Sequence, residues 1–289
     1  MKYAIKYYRG CEILDKADEL IIKYTERNGN LIHFAQKIPQ KQRLIVNISG
    51  LTEEEIQSSM EIFKATIQVK ENIAFLISLN QKQTCTEFEL NQWKYFFIEP
   101  AETLDDFQNM LSYKISDIYI SGELGFYLEI FNHVCEKKEI QMRVFPNVCQ
   151  SSSKIIPKDT LTTFFIRPED LRYYEGFNLV IEFFGPLSKQ PVLYEIYRDG
   201  RWMGDLDDLI LGMKEHIDNN AILPAMGMYR KNCKKRCAFM DCQYCNLTFV
   251  NIANKLQEKG LGFYTPKRIY DEELCVNEEP LSDVTEAND

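Results

Sequence analysis

Four cysteines, Cys233, Cys237, Cys242 and Cys245, fall within 13 residues of a 289-residue chain. Their spacing is C-x3-C-x4-C-x2-C. Thiolates bind soft and borderline metals, and four of them complete either a tetrahedral Zn2+ site or a [4Fe-4S] cluster. Zinc fingers and ribbons set their ligand pairs about 12 or more residues apart. Only four residues separate the pairs here, which is closer to the compact runs that hold iron–sulfur clusters. Both metals remain open, and so does a closed four-thiolate site whose only task is structural. The C-x3-C-x2-C loop of radical-SAM enzymes is not matched, because the third cysteine comes two residues late. Arg230, Lys231, Lys234, Lys235 and Arg236 surround the first pair. Their charge offsets that of the thiolates and lowers the thiol pKa values. The same run is a candidate phosphate-binding patch for a nucleic acid, with Phe239 and Tyr244 as stacking groups.

The elements before this cluster read as short apolar strands. Candidates are Lys2–Tyr8, Arg43–Ile48, Asn72–Ser78, Tyr95–Pro100, Asp117–Gly122, Gln141–Pro146, Thr163–Pro168 and Leu179–Gly185. Most are continuous apolar runs, the pattern of strands buried on both faces in a parallel sheet. Helical patterns lie between them: Asp15–Arg27, Thr52–Lys64 with a Thr cap and three acids, Leu104–Leu111, Glu123–Lys137, and a short one opened by Pro168. Eight strands alternating with helices predict an α/β fold, a (β/α)8 TIM-barrel-like domain over residues 1–189. An open doubly wound sheet is the alternative. From residue 190 the pattern changes. Pro191–Gly204 reads as a β-hairpin turning at Asp199-Gly200, Asp205–His216 as an amphipathic helix, and Leu247–Lys259 as another. These make 190–270 a C-terminal subdomain carrying the four-cysteine site, followed by an acidic tail at 271–289 that is expected to be disordered.

In a parallel α/β fold, chemistry gathers beyond the carboxyl ends of the strands. Asn47, Glu99, Glu123, Asn147, Arg167, Glu169, Asp170 and Glu182 fall at or near those ends. A carboxylate beside an arginine in a partly enclosed mouth can bind an anion or move a proton. The bland alternative pairs Arg167 with Glu182 inside the barrel and makes Glu169 and Asp170 first-turn residues of a helix. His33, His133 and His216 are too widely spaced to form a metal site. No Ser–His–Asp, Walker, Rossmann or HExxH signature is present.

Composition sets the outer bounds. Hydrophobic residues make up 45% and charged residues 27%, which excludes a mostly disordered chain. No apolar run approaches the roughly 20 residues of a membrane helix, and the start MKYAIKYYRG lacks the apolar stretch of a signal peptide. A cytoplasmic, reducing setting is therefore expected. There the nine cysteines should be thiols or metal ligands rather than disulfides. The net charge of −9 belongs mostly to the tail: setting aside its eight acidic residues leaves −1 for residues 1–270. That balance neither requires nor excludes a nucleic-acid partner.

Three segments, SDIYISGELGF (Ser116–Phe126), FFIRPEDL (Phe164–Leu171) and LVIEFFG (Leu179–Gly185), resemble the collagenase-like peptidase family. Its relatives include RNA-hydroxylating and ubiquinone-hydroxylation accessory proteins. The resemblance implies a barrel-like fold and a four-cysteine site that carries an iron–sulfur cluster in several members. It places Arg167, Glu169 and Glu182 at the site mouth and makes Cys233, Cys237, Cys242 and Cys245 the ligands. This chain has Phe184-Gly185-Pro186 where the family often carries His-Gly, and its cysteines are more tightly spaced. Two function classes follow. One is an oxygen-independent hydroxylase of RNA or a small ring substrate, with Arg167, Glu169, Glu182 and Asn147 at the catalytic mouth. The other is a non-catalytic binding or assembly protein with structural zinc.

Overall fold

Seven of the eight expected apolar runs form strands, and an eighth strand comes from a segment read as helix. The computed structural model describes residues 1–7, 16–25, 31–148, 165–212, 217–222 and 244–258. Its strands are β1 (Lys2–Lys6), β2 (Glu19–Lys23), β3 (Arg43–Asn47), β4 (Ile73–Ile77), β5 (Tyr95–Phe97), β6 (Asp117–Tyr119), β7 (Gln141–Val144) and β8 (Leu179–Glu182). All pairings between them are parallel, in the order β5-β4-β3-β2-β1-β8-β7-β6. The outer strands of that order meet. Ser116 N–H donates to the Tyr95 carbonyl at 2.8 Å and Ala101 N–H to the Tyr119 carbonyl at 2.8 Å. Ser121 N–H then returns to the Ala101 carbonyl at 3.1 Å. The sheet is thereby closed into a (β/α)8 barrel.

Helices α1 (Leu31–Lys37), α2 (Glu53–Val69), α3 (Lys82–Leu90), α4 (Leu104–Met110) and α5 (Leu128–Lys137) follow β2 to β6 in turn. Two start on reciprocal caps. In α2, Thr52 Oγ1 accepts from Glu55 N–H at 3.2 Å while the Glu55 carboxylate accepts from Thr52 N–H at 2.7 Å. Thr103 and Asp106 repeat this at α4. Such a box satisfies two otherwise orphaned backbone donors and fixes where each helix leaves the barrel rim. The buried face of α2, Ile56, Met60 and Phe63, has helical spacing and lies against the sheet through Phe75, whose ring is 5.0 Å from that of Phe63.

Several expectations are corrected. Asp15–Arg27 is not a helix; its centre is β2, paired from Glu19↔Arg43 to Lys23↔Asn47. Thr163–Pro168 does not supply a strand among the described residues: Phe165–Arg167 are unladdered, residues 163 and 164 lie outside the described residues, and Pro168–Tyr174 is a 3-10 helix. Glu123–Lys137 divides into a 3-10 turn, Gly122–Tyr127, and α5. The hairpin expected at Pro191–Gly204 is a helix, α6 (Gln190–Asp199). Its buried residues Leu193, Tyr194 and Tyr197 have helical rather than alternating spacing, and Gly200, at φ 69°, is a left-handed helix C-cap instead of a hairpin turn. α6 packs on the barrel as the helix after β8, with Tyr197 5.1 Å from Phe183 and Tyr194 5.4 Å from Tyr3. The helix expected at Asp205–His216 is one turn, α7 (Leu206–Leu209). It stops because Leu211 N–H is taken by the Asn147 carbonyl at 2.7 Å and Gly212 turns left-handed. The last described helix is α8 (Tyr244–Glu258), close to the expected span. The acidic tail lies outside the described residues.

Candidate functional site

The strands place an unusual set of charges inside the barrel. Inward positions recur every second residue. Thus Arg43 and Asn47 share the inner face of β3. Asp117, Tyr119 and Ser121 share that of β6 and its continuation, and Glu182 and Phe184 that of β8. Glu19, Arg43, Asp117, Arg143 and Glu182 are all buried. Arg143 is the hub: its Nε donates to Asp117 Oδ1 at 2.9 Å, one terminal nitrogen to Glu182 Oε2 at 3.2 Å, and the other to Glu19. Arg43 grips Asp117 with both terminal nitrogens, at 2.8 and 2.6 Å. The Arg143 guanidinium also stands 4.6 Å from the centre of the Phe96 ring.

The electrostatics follow from this packing. Desolvation alone would raise the Asp117 carboxyl; the Arg43 and Arg143 guanidiniums and the hydrogen bonds from Arg43 and Ser116 overcome it and hold the group below its usual range. Desolvation would likewise lower Arg143, but Glu19 and Asp117 keep it firmly charged. Burial, then the neighbouring Glu182 carboxylate, pushes the Tyr119 hydroxyl well above its usual range. Tyr119 therefore stays protonated and donates to Glu182 Oε2 at 2.5 Å. Three carboxylates face two guanidiniums, so the group carries one excess negative charge, and Glu182 is its uppermost member.

Above Glu182, at the carboxyl ends of the strands, lies a cavity of about 320 Å³. Lys6, Asn47, Tyr119, Ser121 and Glu182 are its polar lining, and Phe145 and Phe184 its aromatic wall. Phe145 stacks on Tyr119 with centroids 5.3 Å apart and meets Phe184 edge-on at 5.7 Å. This is where barrel chemistry is expected.

The sequence-chosen residues part company here. Glu182 is in the cavity wall. Asn147 clasps β7 to β8: its amide donates to the Phe184 carbonyl at 2.8 Å and accepts from Phe184 N–H at 3.0 Å. Arg167 does not reach Glu182. It forks onto Asp170 at 2.7 and 3.0 Å and donates to Asn219 Oδ1 at 3.1 Å. The Asn219 amide in turn donates to Glu169 and to the Trp202 carbonyl. Arg167, Glu169 and Asp170 thus fasten the segment after α6 to the barrel, away from the cavity lining. Glu99 accepts from Leu79 N–H at 3.0 Å and from Ser78, tying β4 to β5.

Cys233, Cys237 and Cys242, with the five cations around them, lie outside the described residues, as does His216. Cys245 is the second residue of α8. Four thiol donors in one short stretch suit zinc or iron–sulfur by donor chemistry alone. Among the described residues no cluster of His, Cys, Asp and Glu could hold a metal. The described thiols Cys85 and Cys135 are buried, which pushes them up to about 11 and about 12, so they are packing groups rather than nucleophiles.

Lys6, Tyr119, Ser121 and Arg143 were not singled out in the sequence. The strand-end rule that marked Asn47 also finds Lys6 once β1 is ended at Lys6 rather than Tyr8. Arg143 carries no such signal.

No protein-family model matches the chain. It is 34% identical over 89 residues to an uncharacterized protease of Methanocaldococcus jannaschii, a match covering 28% of this chain and 26% of that protein. The chain thus aligns with about a quarter of that relative's length, a distant link to a peptidase-like family. Among solved structures, a 4-hydroxy-2-oxoglutarate/2-dehydro-3-deoxyphosphogluconate aldolase superposes with a TM-score of 0.36 at 12% identity, covering 68% of this chain and 88% of that one. No helix among the described residues is long and apolar enough to cross a membrane.

Proposed function

We propose that the protein is a barrel enzyme of the collagenase-like peptidase type that acts on a ring held in the mouth above Glu182. The observation that carries this is the cavity itself: about 320 Å³, aromatic on one side, with a buried carboxylate in its wall. That volume is near the lower limit of ligand pockets and suits one ring better than a stretch of peptide. Oxygen-independent hydroxylation of a nucleobase or small ring is the favoured reaction class, with the hydroxyl oxygen and the oxidising equivalents coming from an organic oxygen donor. Glu182, kept hydrogen-bonded by Tyr119 and Arg143, would orient a ring N–H or O–H. Cys233, Cys237, Cys242 and Cys245 would hold the metal, as a [4Fe-4S] cluster that supplies one-electron chemistry when bound. An RNA substrate would meet Arg230, Lys231, Lys234, Lys235 and Arg236.

A second reading, a non-catalytic assembly protein with structural Zn2+, draws support from the contacts of Arg167, Glu169 and Asn147, which are engaged within the protein. Anaerobic purification with elemental analysis separates the two. The first predicts brown protein with iron, sulfide and absorbance near 400 nm that bleaches on reduction. The second predicts colourless protein with about one zinc per chain. Folded protein lacking both metals, or a Cys242→Ser variant with unchanged metal content, would remove the four-thiolate centre from either account.

A further inference from the structure

The mouth contains polar groups without a partner among the described residues. Ser121 is buried to 4% exposure, lines the cavity, and its hydroxyl has no hydrogen-bond partner among the described residues. A buried hydroxyl left in this state is costly unless something outside the protein completes it. Lys6, the last residue of β1, lines the same cavity. Its ammonium has no carboxylate partner among the described residues and stands 5.9 Å from the Phe184 ring. Phe184 itself is 40% exposed, a large aromatic left open at the rim.

The topology orders these groups. Lys6 is on β1, Phe184 follows β8, Phe145 follows β7 and Ser121 follows β6, and those four strands are consecutive neighbours in the sheet. One arc of the mouth therefore runs cation, aromatic, aromatic, hydroxyl. Glu182 lies on the same arc and excludes a second negative group from the cavity floor.

We propose that this arc binds a small aromatic acid: the ring against Phe145 and Phe184, the acid group on the Lys6 ammonium, and a polar substituent at the far end of the ring against Ser121. This rests on reading the mouth as the substrate site and narrows its ligand to an anionic ring. A charge-assisted bond to Lys6 supplies the selectivity, and the orphaned Ser121 hydroxyl supplies the orientation.

The test uses the full chain with benzoate, benzamide, benzamidine and 4-aminobenzoate, measured by titration calorimetry. Lys6 acetylation is followed by mass spectrometry with and without each probe. The expected result is benzoate bound at least about tenfold tighter than benzamide or benzamidine, as one charge-assisted hydrogen bond would give. Benzoate should also protect Lys6 from acetylation. Lys6→Met should abolish the preference for benzoate over benzamide. Ser121→Ala should leave benzoate unchanged and remove any advantage of 4-aminobenzoate. Acetylation protection in the unmutated chain decides the matter if Lys6→Met does not fold. Equal or tighter binding of benzamidine overturns the anionic class while leaving the mouth as the site. Binding of none of the four, with Lys6 unprotected, overturns the inference, whereas the thiolate centre is judged separately by metal content.

Discussion

The lower barrel interior and the mouth are both lined by polar side chains, yet they differ in one respect. Below, every guanidinium nitrogen of Arg143 has a carboxylate partner, and Arg43 is held by Asp117, Glu19 and Ser116. Above, Ser121 and Lys6 have polar atoms that the described protein leaves unmatched. Buried charge that is saturated holds a fold in one arrangement; the unsaturated groups of the mouth face a cavity with room for a ligand. The boundary between the two is Glu182, which belongs to both.

The comparison can be broken most forcefully at its lower member. Arg143→Met leaves Glu182 with no guanidinium and Asp117 and Glu19 with Arg43 alone, and should cost about 3–5 kcal/mol, as unpairing buried charges does. Denaturant unfolding checks this, and Arg143→Lys should not rescue it, because an ammonium cannot reproduce the three-way fork. A loss below about 1 kcal/mol would mean that the hub is not saturated as described. Asp117→Asn should cost somewhat less, about 3 kcal/mol at pH 7, and should change the acid limb. The Asp117 carboxyl is held low in the folded protein. Its contribution is therefore complete above the unfolded carboxyl value of about 3.9 and is lost as the pH falls below that toward the folded value. The variant's stability should fall less steeply than the parent's below about pH 4; parallel curves would contradict the assignment. Asn219→Ala removes the partner of Arg167, Glu169 and the Trp202 carbonyl and should cost about 2 kcal/mol. Hydrogen exchange should show the loss concentrated in residues 202–222, with the strands unaffected. At the small end, Ser121→Ala should leave stability within about 0.5 kcal/mol, since no hydrogen bond is lost. A loss of several times that would show that Ser121 is engaged in the free protein after all.

The barrel was legible because its strands are buried on both faces and so read as unbroken apolar runs, as in Ile73–Ile77. β2 escaped for a physical reason. Glu19 opens it and Lys23 closes it, and a carboxylate inside a barrel has the same letter as one on a surface helix. Its partners, Arg43 and Arg143, sit 24 and 124 residues away. Pro191–Gly204 reads as a hairpin because Val192, Tyr194 and Ile196 alternate as strand residues do, while the chain buries Leu193, Tyr194 and Tyr197 instead. The strand-end position of Glu182 is readable in the sequence, and the residue lines the cavity. The alternative pairing of Arg167 with Glu182 is not made, because the nearer Asp170, three residues on, takes the guanidinium. Lys6 was within reach of the strand-end rule, but that Lys6 and Ser121 are left unsatisfied by their described neighbours is a property of the folded arrangement rather than of the letters.

The place where the barrel closes has a consequence for how the molecule comes apart. Among the described residues the first and last strands, β1 and β8, are laddered side by side, so the seam between them is not the weak line of the barrel. That line falls between β5 and β6, where two three-residue strands are joined chiefly through Ala101. The ring is best regarded as two arcs, one of five strands and one of three, welded where β1 meets β8 and latched near residue 101. A chain cut in the loop just beyond Ala101 would yield pieces that match those arcs, each retaining its own ladder and offering the other two edges to re-form.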